Sequence, residues 1–269
     1  MLNISIVLYK TRAEQLLPLL DELLKVRRLH RIYLIDNSPV KSEEFASLPL
    51  PVEYIFNNAN LGYGKAHNIA LRQSVYDEVP FHLVINSDIE VKAADIDYLL
   101  DFIGQNPLIG QIMPKVVYPD GTVQYLAKLL PTPWDLIARR FLPGFLTRKR
   151  TERYELRFTG YNRPLNAPYL SGCFMLLRTQ AAYRAHLFDE RFFMYPEDLD
   201  LTRTIHVDYL TLFLPSVTIV HHHAKASYHS LRYLWIHIVN MCRYFNKWGW
   251  FRDVERDDFN RQLLDSLKD

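Results

Sequence analysis

The sequence predicts an α/β protein built on a mixed, mostly parallel sheet with helices on both faces. Three features carry that prediction. Short, continuously apolar runs such as "ISIVLY", "RIYLID" and "FHLVIN" recur, stretches with apolar residues at helical spacing lie between them, and the runs end in polar or acidic residues. With 269 residues, 49% of them hydrophobic, the chain has material for a full core. A net charge of +2 gives no reason to expect a nucleic-acid partner. Cys173 and Cys242 both sit in apolar stretches, which points to a reducing compartment and not to a disulfide framework. The N-terminal "MLNISIVLYK" lacks the basic region and cleavage site of a signal peptide. No uninterrupted apolar stretch reaches the roughly 20 residues that span a bilayer. The expected location is cytoplasmic, with peripheral contact at the inner face of the membrane as a variant.

The elements follow in order. Residues 4–9 read as a buried strand and 13–26, with leucines at helical spacing, as the helix after it. Strands follow at 31–36 and 52–57, a helix at 64–74, a fourth strand at 81–86 and a helix at 93–104. In such sheets ligands bind at the carboxyl ends of the strands, where Asp36 and Asp88 lie. Beyond residue 107 the rhythm changes. "IGQIMPKVVYPDGTVQYL" carries a Pro-Asp-Gly turn and reads as a hairpin. The proline-bearing stretch 131–168, with Arg139, Arg140, Arg148, Lys149, Arg150, Arg153 and Arg157, reads as a mobile excursion. "APYLSGCFMLLR" (167–178) returns to a buried strand, a short helix follows, and a last strand, 211–221, precedes an aromatic helix over 230–250.

One strand end stands out. "LVINSDIE" (83–90) closes an apolar run with an amide, a hydroxyl and a carboxylate, and a second carboxylate follows. Either the sheet simply stops there, since loops are polar, or this strand end holds something charged.

Taken in order, "NLGYGKAHN" (60–68), "INSDIE" (85–90), "YLSGCFMLLR" (169–178), "FDERFFMYPEDLDL" (188–201) and a histidine after the last strand resemble glycosyltransferase family 2, especially its rhamnosyltransferase-like members. The resemblance covers residues 4 to about 230. It implies a GT-A fold over 1–229, with a nucleotide-binding half (1–105) and an acceptor-binding half (106–229), followed by a C-terminal helical extension (230–269). It implies inverting transfer of a sugar, rhamnose among the options, from a dTDP- or UDP-linked donor to a glycan acceptor in cell-surface polysaccharide synthesis. A diphosphate calls for a divalent cation, Mn²⁺ or Mg²⁺, to neutralise it.

By resemblance Asp88 is the principal metal ligand, against the alternative of an ordinary strand-terminal turn residue. The family's Asp-x-Asp is here Asn86-Ser87-Asp88, so Asn86 orients the sugar or a water and a two-carboxylate clamp is not expected. Glu90 reads as a solvated loop acid. Asp36 receives the N3–H of uracil or thymine, with a loop cap as the alternative and guanine left open. Asn60, His67 and Asn68 line the donor pocket, and Gly62 and Gly64 let the backbone approach the nucleotide. Asp198 in "MYPEDLDL" is assigned as the base that takes the acceptor's proton, with Glu197 beside it, although acids are common in first turns for dipole reasons alone. Asp200 reads as a helix-surface acid. His221 reaches back to the metal or is structural, and Gly172 permits close approach at the floor of the site.

The basic segment at 139–157, interleaved with Phe141, Leu142, Phe145 and Leu146, has a surface-seeking character, and the aromatic C-terminal helix reads either as core or as surface. Together they favour a lipid-linked acceptor. Two other classes fit the sequence less well. A nucleotidylyltransferase needs a glycine-rich phosphate loop after the first strand, which "VLYKTRAEQ" lacks, and a non-catalytic glycan-binding scaffold would not need Asp88 and the Glu197-Asp198 pair.

Overall fold

Strand β1 (Leu2–Leu8) is buried along its length except for Val7. Its period-2 alternation sends Ile4, Ile6 and Leu8 into the main apolar cluster with α1 (Ala13–Leu23) and α4 (Ala93–Gln105). The alternate residues Asn3 and Ser5 meet Ser74 and His67 of α3 (Tyr63–Tyr76) on the opposite face. The sheet therefore carries helices on both sides, as predicted. In this computed structural model residues 1–135, 144–222 and 231–268 are described. Arg139, Arg140, Phe141 and Leu142, named in the sequence analysis, lie outside them.

The sheet order is β3 (Val52–Phe56), β2 (Leu29–Asp36), β1, β4 (Phe81–Ile85), β10 (Phe174–Arg178), β6 (Ile109–Val117), β11 (Leu210–His221), β5 (Ile89–Glu90), with β8 (Leu165–Asn166) also on β11. β3, β2, β1 and β4 are parallel, as are β6 and β11. β10 enters antiparallel between β4 and β6. That insertion carries the chain of the second half back against the strand end at Asn86. The remaining helices are α2 (Glu43–Ala46), α5 (Gly144–Tyr154), α6 (Thr179–Arg184), α7 (Glu197–Asp208), α8 (Leu231–Trp248) and α9 (Val254–Asp265).

Four expectations are corrected. The Pro-Asp-Gly turn forms, with Asp120 accepting from Thr122 N at 2.8 Å, but it closes only an isolated bridge between Val117 and Val123 and not a hairpin arm. The chain then leaves for a separate ladder, β7 (Ala127–Lys128) on β9 (Tyr169–Leu170). The single strand expected over 167–178 is two, β9 and β10, parted by Ser171-Gly172-Cys173. The stretch expected to be a mobile excursion contains helix α5.

Asp200 is the fourth: it is buried, accepting from Lys247 Nζ at 2.7 Å and from the Trp248 indole at 2.7 Å. Its neighbour one turn on, Arg203, is 1% exposed, with its guanidinium held by both oxygens of Asp253 at 2.6 and 2.8 Å and by Glu255 at 2.9 Å, over the Trp248 ring. The helices expected as an extension are thus packed on α7. Helix α8 satisfies both readings: Met241, Tyr244 and Phe245 join a core cluster with Phe192 and Leu199, while Trp235 is 68% exposed.

Candidate active site

The carboxyl ends of β2 and β4 lie on one edge of the sheet because both strands run parallel to β1. Asp36 closes β2, buried, with Oδ2 accepting from the Tyr54 hydroxyl at 2.6 Å and Oδ1 from Ser38 N at 2.8 Å. Next to it Asn37, which the sequence reading did not single out, donates to Gly62 O at 3.0 Å and receives Asn57 Nδ2 at 2.9 Å. Asn60 accepts from Gly62 N at 3.0 Å, an Asx turn that shapes the entry to α3.

At the end of β4, Asp88 Oδ1 lies 3.3 Å from His221 Nε2, and Asn86 Nδ2 lies 3.5 Å from the same nitrogen. Residues 135 and 133 positions apart meet because β5 pairs Ile89 with His221 at the end of β11. The ring is aimed by Gln124. Its Oε1 stands 2.9 Å from His221 Nδ1, and its amide nitrogen donates to His221 O at 2.9 Å and to Val117 O at 3.4 Å. With the amide nitrogen committed to two carbonyls, the oxygen must face Nδ1, so Nδ1 carries a hydrogen and Nε2 faces Asp88. Burial acts to lower the His221 imidazole, but the hydrogen bonds to Asp88 and to the Cys173 thiol outweigh it and hold the ring up at about 10. A hard carboxylate oxygen and an aimed imidazole nitrogen, with the other ring nitrogen anchored, are a donor pair that fits a divalent cation, which would compete with that proton. Among the described residues no group of three or more His, Cys, Asp or Glu forms such a cluster, so the pair would need oxygens from a diphosphate to complete a shell. Ser87 and Asp88 open onto a cleft of about 840 Å³ that Lys10 and Lys92 also line.

The Glu197-Asp198 pair opens α7. Asp198 Oδ2 accepts from Gly172 N at 2.8 Å and Oδ1 from Leu199 N at 2.8 Å. A Cβ on Gly172 would stand 3.0 Å from Asp198 Cβ, so the glycine lets the turn between β9 and β10 close on the carboxylate. Glu197 is 4% exposed and its Oε2 has no hydrogen-bond partner among the described residues. Burial, and next the charge of Asp198, push its carboxyl up to about 8. Burial also raises Asp198, but the two backbone N–H groups and Lys128 act the other way. Burial thus favours a proton on the pair, and Asp198, with its two backbone N–H donors, is the member whose ionised form is hydrogen-bonded.

The two sides are joined by Tyr63, another residue the sequence reading did not single out. Its hydroxyl lies 3.1 Å from Asn86 Oδ1 and 2.7 Å from Gly172 O, so one side chain spans from the end of β4 to the turn that closes on Asp198. Burial raises the Tyr63 phenol well above its ordinary value, which keeps it a neutral donor.

Four of the candidate pocket residues have packing roles. Gly62 has φ +84° and a Cβ there would stand 2.1 Å from Phe193 O, while one on Gly64 would stand 2.8 Å from Phe188 Cβ. Both glycines are required by the approach of the 188–193 segment, whatever a nucleotide does. His67 is fully buried, its Nδ1 2.7 Å from Ser5 Oγ, and Asn68 is buried, bracketing Phe188 through its carbonyl at 2.8 Å and its amide at 3.0 Å. These two side chains position α3 and the segment leading to Glu197.

A sheet of this order, with Asp88 and His221 at one strand end and paired acids at the start of α7, has the GT-A architecture. GalNAc-T7, solved with UDP, GalNAc and Mn²⁺, superposes with a TM-score of 0.61 at 16% identity, over 82% of this chain and 42% of that one. The mannosyltransferase PcManGT from Pyrobaculum calidifontis, in complex with GDP-Man and Mn²⁺, gives 0.56 at 14% identity, over 90% of this chain and 64% of that one. At such identities the likeness shows the fold. The chain belongs to glycosyl transferase family 2, whose sequence model matches residues 4–185. It is 32% identical over 194 residues to the N-acetylglucosaminyl-diphospho-decaprenol L-rhamnosyltransferase of Mycobacterium tuberculosis, which covers 65% of this chain and 60% of the relative. The chain thus matches less than two thirds of that relative's length.

Proposed function

We propose that this chain moves a sugar, rhamnose by analogy with the relative, from a dTDP- or UDP-linked donor to a lipid-linked glycan by inverting single displacement, with Mn²⁺ or Mg²⁺. The observation that carries the reading is the Tyr63 hydroxyl, within hydrogen-bond distance of both Asn86 and Gly172. On this reading the diphosphate side and the acceptor side of the transfer stand one side chain apart.

Asp88 and His221 would hold the cation, which supplies neutralisation of the diphosphate as the leaving group. Asp36, at the end of β2, would accept from the base. Asp198, fixed by Gly172 N and Leu199 N, takes the proton of the acceptor hydroxyl as that oxygen attacks the anomeric carbon. Glu197, neutral at pH 7, adds no second charge to repel the nucleophile, and the buried Phe192 with the half-buried Phe193 before it shields the acids from water. No described helix is long and apolar enough to cross a membrane, so a lipid-linked acceptor would be met from the membrane surface.

The test is transfer from dTDP- and UDP-sugars to N-acetylglucosaminyl-diphospho-prenol with Mn²⁺, the product's anomeric configuration read by NMR. Inversion is expected, and Asp198→Asn should bind donor as before yet lose kcat by roughly 10²–10⁴ fold. Retained configuration, or near-native transfer by both Asp198→Asn and Glu197→Gln, would defeat the reading.

A further inference from the structure

Away from the strand-end cleft, a groove of about 860 Å³ runs between α5 and α9. Its floor is the extended chain that continues β7. Leu129 N donates to Tyr154 O of α5 at 3.1 Å, and Leu130 is clamped by Asn260 of α9, whose amide donates to Leu130 O at 2.9 Å and accepts from Leu130 N at 2.8 Å. Both walls are therefore tied to the floor. The floor is apolar, with Leu129, Leu130 and Tyr154 each less than 7% exposed.

The rim is cationic. Of its three acids, Asp135 is paired with Arg150, Asp265 with Lys268 and Asp257 with Arg256. Lys149 and Arg153, both exposed on α5, make no ion pair among the described residues. A groove of this size with an apolar floor and two unpaired cations at its edge is complementary to an amphiphile with an anionic head.

Its position narrows the class. The floor begins one residue after Lys128, whose charge acts on Asp198, and Leu130 packs in one cluster with Leu199, the neighbour of that base. An acceptor glycan at Asp198 would have its carrier directed along β7 into this groove. We infer that the α5–α9 groove binds the isoprenoid diphosphate that carries the acceptor glycan, Lys149 and Arg153 meeting the diphosphate and the Leu129-Leu130 floor the first isoprene units. This deepens the function proposed above and rests on it for the acceptor's class.

Calorimetric titration with farnesyl diphosphate, free of any sugar, tests it. The native protein should bind, and the double variant Lys149→Glu/Arg153→Glu should bind roughly tenfold more weakly. Lys149→Gln/Arg153→Gln should show a smaller loss in the same direction. Binding of UDP or dTDP with Mn²⁺, expected to be equal in all three, reports an intact fold. Unchanged farnesyl diphosphate affinity in both variants would overturn the assignment. So would inorganic diphosphate binding as tightly as the farnesyl compound, or phosphatidylglycerol vesicles competing for the site equally well. A protein that binds farnesyl diphosphate through these cations yet transfers no sugar would defeat the proposed function and leave the groove standing.

Discussion

Gln124 has no charge and lies in no recognisable motif, yet it determines which nitrogen His221 presents to Asp88. The separation of 97 residues explains why local pattern could not find it: the contact exists only because the turn after β6 folds back beside the end of β11. Outer partners of metal-binding histidines typically contribute 10–100 fold in affinity. Gln124→Leu should therefore weaken Mn²⁺ binding to the nucleoside diphosphate complex by about that factor, and Asp88→Asn by more, read by electron paramagnetic resonance of free Mn²⁺. Native Mn²⁺ affinity in Asp88→Asn would remove the cation from this strand end. The strand end itself was legible because a carboxylate closing an apolar run is unusual, whereas Tyr63, between two glycines, showed nothing locally to separate it from a packing aromatic.

Among the elements, α7 joins chemistry to stability. Its first turn carries the acids together with Asp200, which with Arg203 one turn on anchors α8 and α9. Acids and an arginine at those spacings read from sequence as a dipole-complemented, solvated start, because their partners lie 47 and 50 residues further on. Removing one partner of a buried pair leaves the other charge stranded, which costs about 3–5 kcal/mol. Asp253→Ala should lower unfolding stability by that amount in urea titrations, against little change for the surface pair variant Lys25→Ala, whose bridge to Glu22 is solvent-exposed. An equal, small loss in both would show that α8 and α9 are held by their apolar faces alone. Helix α8 also holds the approach to the acids: Asn240 donates to Met194 O at 2.9 Å and Arg243 to Arg191 O at 2.7 Å.

For the whole molecule the acids leave a thermodynamic trace. Glu197 is raised in the folded state from an ordinary 4.5 to about 8, so the native protein holds a proton there that the unfolded chain releases. A group with a raised folded value contributes stability that is fully present below about 4.5 and is lost as pH rises through about 8. Between those values stability should fall with pH, and Glu197→Gln should flatten the fall in thermal unfolding measured across the window. A slope identical in the variant would mean that the carboxyl titrates normally. The alternation of apolar runs and helical stretches determined from sequence alone the α/β class, the order of β1 to β4 and their helices, and the strand and helix ends where Asp36, Asp88 and Asp198 stand, because periodicity and end residues are local properties. Tertiary structure alone decided that β10 inserts antiparallel beside β4, that His67 and Asn68 are buried supports, that Asp200 is an anchor, and that Gln124 aims His221. Each of these depends on which distant surfaces meet, and that is a property of the packed chain and not of any segment of it.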